Sequence, residues 1–280
     1  MRQRLLLTAA VLLAATGLAQ ALEGELHGSI DVTYQSKYIW RGFAVYGSKS
    51  AIQPTVDLNL FGTGFGLSAQ GHRANSSGYE LSERWDYTLY YQNRLFGEES
   101  YATNYRLGWV YYNYPDLSSG NADLQELHAV LSLPKICPAG VVPSYVLVKL
   151  WPSESGSWVA SSLDLEASTK MGGPVPSRGT ASGFAHIFML DYGLHVPGLV
   201  PQIPEHVINL HTELVYNDGV GPAGQDVDHD WSNVVFGAST DINLDTNLTF
   251  TPGIYYQISM DKSVDDEDEL WSTFGLKYKF

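Results

Sequence analysis

The sequence predicts an all-β fold, a transmembrane up-and-down antiparallel β-barrel, on three observations. Apolar and polar residues alternate over segments of about ten residues, as in strands with one lipid-facing and one wet face. Aromatic residues, 12% of the chain, gather near the ends of those segments, where rings with a polar handle suit a membrane–water boundary. Connections alternate between tight turns, such as Phe61-Gly62-Thr63-Gly64, and long polar stretches such as 217–230. No stretch after the first residues is apolar for long enough to form a spanning helix.

The N-terminus sets the expected compartment. Arg2 and Arg4 precede an apolar run from Leu5 to Leu18, and Ala19-Gln20-Ala21 has the small-x-small pattern of a cleavage site. This is the layout of a secretory signal peptide, residues 1–21, cut after Ala21. It leaves 22–280 as one barrel. No cysteine stands at the cut, so a lipid anchor there is excluded. The formal net charge is −14, and losing the leader removes two arginines and no acid. A chain this acidic, with no basic patch, should not bind nucleic acid. Cys137 is the only cysteine and is expected as a turn residue.

Taken in order, the first strand sets Leu26, Ile30, Val32 and Tyr34 against His27, Asp31, Thr33 and Gln35. The second sets Ile52, Pro54, Val56 and Leu58 against Gln53, Thr55, Asp57 and Asn59. Strand-like segments continue at 65–73, 84–93, 101–112, 124–133, 142–151, 158–169, 184–195, 206–217, 231–243, 247–259 and 269–280. Their number is odd, whereas single-chain bacterial barrels have an even one. Loop lengths run 142–151 and 206–217 in the same direction, which leaves room for one strand between them. Segment 184–195 fills it, with Phe184, Phe188, Leu190, Tyr192 and Leu194 facing lipid. Residues 158–169 then belong to an external excursion, about 152–183. Twelve strands result; fourteen is the alternative. Tyr38, Trp40, Trp85, Tyr101, Tyr111, Tyr114, Tyr216, Trp231, Tyr278 and Phe280 are expected at the interfaces.

The final segment alternates Leu270, Ser272, Phe274, Leu276, Tyr278 and Phe280 with Trp271, Thr273, Gly275, Lys277 and Lys279. It resembles the terminal-strand signature of bacterial outer-membrane proteins. That resemblance implies handling by the barrel-assembly machinery, with Phe274, Leu276, Tyr278 and Phe280 as the assembly signal. The run Ser36-Lys37-Tyr38-Ile39-Trp40-Arg41-Gly42, followed by Ala51-Ile52-Gln53-Pro54, resembles the opening of the TorF-like porin family. The likeness covers about 25 residues. It implies an outer-membrane barrel with a porin role and supplies no substrate. Arg41 is expected to pair with lipopolysaccharide phosphate or a loop carboxylate, or simply to end a strand with Gly42 permitting the turn.

Turning the apolar faces to lipid assigns Asp31, Asp57, Arg84, Asp86, Arg106, Glu126, Asp191, Glu213, Asp241 and Lys277 to the lumen. His27, His72, His128, His195 and His211 accompany them. Such a set either forms cross-strand ion pairs or tunes solute passage. Gly66, Gly108, Gly237, Gly253 and Gly275 are expected to keep the interior uncrowded. A lipase needs Ser and His at the outer edge; His186 is in phase with lipid-facing Phe188 but has no evident companion. His229, between Asp228 and Asp230, reads as part of an acidic loop. Asp261, Asp265, Asp266, Glu267, Asp268 and Glu269 lack the spacing of a calcium loop. The reading is therefore non-enzymatic, with no cofactor and no resident metal. It expects a porin-like channel for small hydrophilic solutes, surrounded by outer-membrane lipid and lipopolysaccharide. The alternative is a plugged structural or adhesive barrel acting through acidic external loops.

Overall fold

The computed structural model describes residues 25–117, 123–153, 158–163, 176–179, 182–200, 203–219, 221 and 227–280. The leader and its cleavage site lie outside these residues. Twelve antiparallel strands close into one barrel. They are β1 His27–Gln35, β2 Ala51–Asn59, β3 Phe65–Ala74, β4 Arg84–Leu95, β5 Thr103–Asn113 and β6 Leu124–Ser132. The second half is β7 Val142–Pro152, β8 Gly183–Val200, β9 Ile203–Asp218, β10 His229–Thr240, β11 Leu248–Ser259 and β12 Glu269–Lys279. Every strand pairs with its sequence neighbour, and β12 pairs with β1 in the register Asp31↔Lys277. Gly28 and Phe280 exchange both backbone hydrogen bonds at 3.0 Å, so the first and last strands of the barrel shut the ring. Both termini therefore lie at one end of the barrel, here the terminal end; the longer connections crown the loop end.

Segment 158–163 is not a barrel strand. It pairs with Pro176–Gly179 in a separate ribbon, while β7 pairs directly with β8. Its alternation reads as a strand, and the even strand number with the loop lengths sets it outside the barrel. Strands β8 and β9 run longer than the expected 184–195 and 206–217: their mutual pairing continues out to Val200 and Ile203, past the point where β7 begins. They leave the terminal end as a projecting hairpin.

The lipid-type face is plain in the exposures. Ile30, Val32, Leu89, Leu127 and Leu276 lie open on the outer surface, and Leu107 is 51% exposed. A sandwich would bury these rows between its sheets, because apolar area leaves water when it can. Tyr34, Phe274 and Phe250 form a stacked outer row across three strands.

Three of the inner-face glycines do not leave empty space. Gly66, Gly108 and Gly237 stand opposite Tyr90, His128 and Tyr255 in register. In each pair the partner's ring lies across the glycine, where a Cβ would have to sit. A ring laid over a strand glycine covers backbone that would otherwise be bare. Gly66→Ala should therefore destabilise the barrel by about 1–3 kcal/mol, because Tyr90 must move. Gly275→Ala, whose nearest neighbour would lie 3.3 Å away, should cost much less. Urea unfolding of the two refolded variants checks the difference.

Candidate functional site: the inserted hairpin and the lumen beside it

The site begins with the connection between β1 and β2. Ile39–Trp40 pairs with Phe43–Ala44, and Val45 N donates to the Tyr38 carbonyl at 3.0 Å. At the tip, Arg41 (φ 50°) and Gly42 (φ 95°) both occupy the left-handed region. Two such residues make the tight turn that matches strand twist. The hairpin folds into the barrel. Tyr38, Phe43 and Tyr46 are buried, and Tyr46 Oη donates to the His72 carbonyl at 2.8 Å.

Its destination is an apolar stretch of inner wall. Val110, Leu124, Val148, Leu150, Ala185 and Val215 are buried on the loop-end halves of β5 to β9, and Trp40 packs against them. Trp40 also meets the cluster around Tyr38 and Tyr46 and the one formed by Phe43, Val227 and Val264. Apolar side chains on the inner face of a barrel need a cover, and an aromatic hairpin in water needs the same. Each satisfies the other.

Polar groups lock the hairpin in place. Arg41 reaches Glu126 at 2.8 Å and lies 4.6 Å over the Trp40 ring. Tyr112 Oη donates to the same carboxylate at 2.7 Å, and His128 Nδ1 sits 3.1 Å from its other oxygen. Burial alone would lower the pKa of Arg41; the Glu126 carboxylate more than reverses it, so the guanidinium stays charged. Arg84 bonds both oxygens of Asp86, at 2.7 and 2.9 Å. It also donates to Tyr38 Oη at 3.2 Å and lies 4.5 Å over Tyr112. Burial pushes the Tyr38 phenol up. The chain continues from Asp86 to His72 (2.9 Å), Gln53 (2.8 Å) and Gln35 (2.8 Å), so one network crosses β1 to β4. Gly42 is pinned as well: Gln257 Nε2 donates to its carbonyl at 2.8 Å. A Cβ there would lie 2.6 Å from Asn233 Oδ1 and 2.7 Å from Val264.

These contacts correct two expectations. Tyr38, Trp40 and Tyr114 do not sit at an outer interface; Tyr38 and Tyr114 are buried inside, and Trp40 lies on the inner wall. Alternation fixes the face of a residue within a strand but has no hold beyond its end. Arg41 meets a carboxylate of the barrel wall, Glu126, rather than a lipid phosphate or a loop acid.

The hairpin leaves a cavity of about 660 Å³ against the opposite wall. Asp31, Thr33, Thr251, Thr273, Glu213 and Asp241 line it, with Lys277, Tyr255 and Trp271. Along β12 it extends from Trp271 to Lys277, roughly 20 Å of strand. Tyr255 and Trp271 stack at 5.5 Å and 14°. Asp31 accepts from Thr33 Oγ1 at 2.9 Å and Asp241 from Thr251 Oγ1 at 2.6 Å. His211 lies between Asp191 (2.7 Å) and Glu213 (3.9 Å).

The charged residues singled out in the sequence thus fall into three groups. Arg84, Asp86 and Glu126 hold the hairpin. Asp31, Glu213, Asp241 and Lys277 line the cavity, with Asp191 behind His211. Asp57 accepts from Tyr90 Oη at 2.9 Å, and Arg106 lies 3.7 Å over the same ring, nearer the terminal end. Thr33, Thr251, Thr273, Tyr255 and Trp271 are legible in the sequence only as members of the inward strand faces. Inward parity was available for each, but nothing local distinguished them from other strand residues. His186 bonds Tyr145 Oη at 2.7 Å on the outer face, and His229 pairs with Asp218. Three acids of 260–269 are engaged within the protein: Asp261 accepts from Ser263, Asp268 from Tyr256 Oη and Ser259 N, and Glu269 pairs with Lys37. Among the described residues no cluster of His, Cys, Asp and Glu is arranged to hold a metal.

Among solved structures, the barrel is similar to the NanC porin, with a TM-score of 0.52 and 12% identity over 90% of this chain and 100% of that one. It is similar also to an outer membrane channel from Pseudomonas putida F1, with a TM-score of 0.51 and 8% identity over 92% and 96% of the two chains. The fold is that of outer-membrane β-barrels. No protein-family profile matches the sequence, and no curated protein matches it.

Proposed function

We propose that the chain is a porin-like channel of a bacterial outer membrane, passing small hydrophilic solutes by passive diffusion through a lumen narrowed by the inserted hairpin. The observation that carries this reading is the cavity beside the hairpin, where acids, threonines and a lysine stand among apolar side chains, inside a barrel whose outer surface is apolar. Twelve strands enclose more than the eight that side chains alone can fill, and fewer than the sixteen that leave a wide pore. The likeness to outer-membrane channels supports the fold part of the reading. The resemblance of 36–54 to the TorF-like family supports the porin part. On this reading the terminal end faces the periplasm and the loop end lies among lipopolysaccharide. The row Phe274, Leu276, Tyr278 and Phe280 is what the assembly machinery binds.

Planar-bilayer recording of the refolded protein tests the channel and should give small, discrete conductance steps. A silent bilayer would favour the plugged structural or adhesive barrel. That rival is favoured by the same hairpin and by the 152–183 excursion; deleting 153–182 would then abolish surface binding. The membrane assignment has a separate test. Leu107→Arg should cost about 2–4 kcal/mol of unfolding free energy in phospholipid vesicles, because the guanidinium enters hydrocarbon. An unchanged midpoint would refute the lipid-facing assignment.

A further inference from the structure

We infer that the cavity prefers cations and, among sugar-sized solutes, takes amine-bearing ones over neutral ones and neutral ones over acids. This rests on the channel reading above and adds the class of solute. Three carboxylates line the cavity, Asp31, Glu213 and Asp241, and Asp191 stands behind His211. Among the described residues, none of these four forms an ion pair with a lysine or arginine; Glu213 and Asp191 share only His211. Three bases reach the same space, Arg41, His211 and Lys277, and His211 is held by Asp191 and Glu213. Arg41 is engaged by Glu126 and lies on Trp40, so its charge is matched before any solute arrives. Lys277 alone offers an uncommitted ammonium, opposite Asp31 in register.

The rest of the lining suits an organic cation rather than only a hydrated metal ion. Thr33, Thr251 and Thr273 present hydroxyls at the level of the carboxylates. The Tyr255–Trp271 stack gives an aromatic wall along which an ammonium or a sugar face can lie. Asp228, Asp266 and Glu267, exposed in the loop-end connections, and Asp230, exposed at the start of β10, raise the local concentration of cations at the loop end. An anionic solute meets like charge first there and again in the cavity.

The experiment uses the full refolded barrel in two formats. Under a KCl gradient in planar bilayers, the reversal potential should report K⁺ permeating more readily than Cl⁻. The double variant Asp31→Asn, Asp241→Asn should reduce that preference by about threefold per charge removed, the factor a unit charge about 7 Å from an ion exerts in water. Lys277→Gln should raise it. In liposome swelling, glucosamine should enter faster than glucose, and glucose faster than gluconate. Selectivity for Cl⁻, or gluconate entering first, would overturn the inference while leaving the channel standing. Conductance with no ionic preference in the native barrel would do the same. Absence of any conductance or swelling would remove the channel reading and this inference together.

Discussion

Replacing Ile39–Ala44 by Asn-Gly will raise the single-channel conductance of the refolded barrel several-fold. Tyr38 and Val45 already face each other through a backbone hydrogen bond of 3.0 Å. A two-residue turn of the Asn-Gly type therefore closes the shortened ribbon without strain. The exchange removes Trp40, Arg41 and Phe43 from the interior while keeping Tyr38 and Tyr46, which anchor the base of the loop. It also leaves Glu126 without its guanidinium. That carboxylate would then face water in the widened lumen, so the desolvation cost of an unpaired buried charge does not arise. The apolar wall of Val148, Leu150 and Val215 becomes wet, and some stability is lost with it. Bilayer recording of native and shortened barrels at one salt concentration reads the effect. Equal conductances would mean that the hairpin does not limit the pore.

The second large effect is on stability. Glu126→Ala keeps the hairpin but strips Arg41 and Tyr112 of their shared acceptor. Glu126 is only 1% exposed, and Arg41 Nη1 already lacks a partner. Breaking a buried pair from one side costs about 3–5 kcal/mol, since the remaining charge stays out of water. Urea unfolding in vesicles should show that loss. Removing both charges, as Arg41→Leu with Glu126→Leu, should recover most of it, because an apolar pair fits beside Trp40 and Val110. A double variant as unstable as the single one would mean that Tyr112 and His128, rather than the ion pair, carry the energy.

Much of this fold could be read directly from the chain. Period-two alternation located the strands, and the even-number rule removed 158–169 from the barrel. Both inferences depend on short-range pattern, which a strand expresses residue by residue. The hairpin was not legible in the same way. Tyr38, Trp40 and Arg41 lie outside any strand, where no period says which way a side chain turns. A signal was nevertheless present. Val146, Leu147, Val148 and Leu150 are apolar on both faces, as are Phe184, Ala185, Ile187 and Phe188. A strand that is greasy on both sides is covered on both sides, so something apolar had to enter the barrel at that level. The aromatic loop nearest in sequence to the loop end of β1 was the available candidate. The glycines misled for a related reason. Gly66, Gly108 and Gly237 read as room in the lumen, yet each lies under the ring of its cross-strand partner, and register is not visible in a single strand.

The bonds between Gly28 and Phe280 join the first strand of the barrel to its last residue. Until that seam forms, any partly built sheet has two bare margins whose N–H and C=O groups find no partner in hydrocarbon. One of those margins belongs to β12, which follows every other strand of the barrel in the chain, so the ring cannot close before β12 is available. On the outer-membrane reading, insertion of an unfinished sheet is correspondingly unfavourable, and the ring should enter the bilayer as a unit or beside a template that lends it an edge.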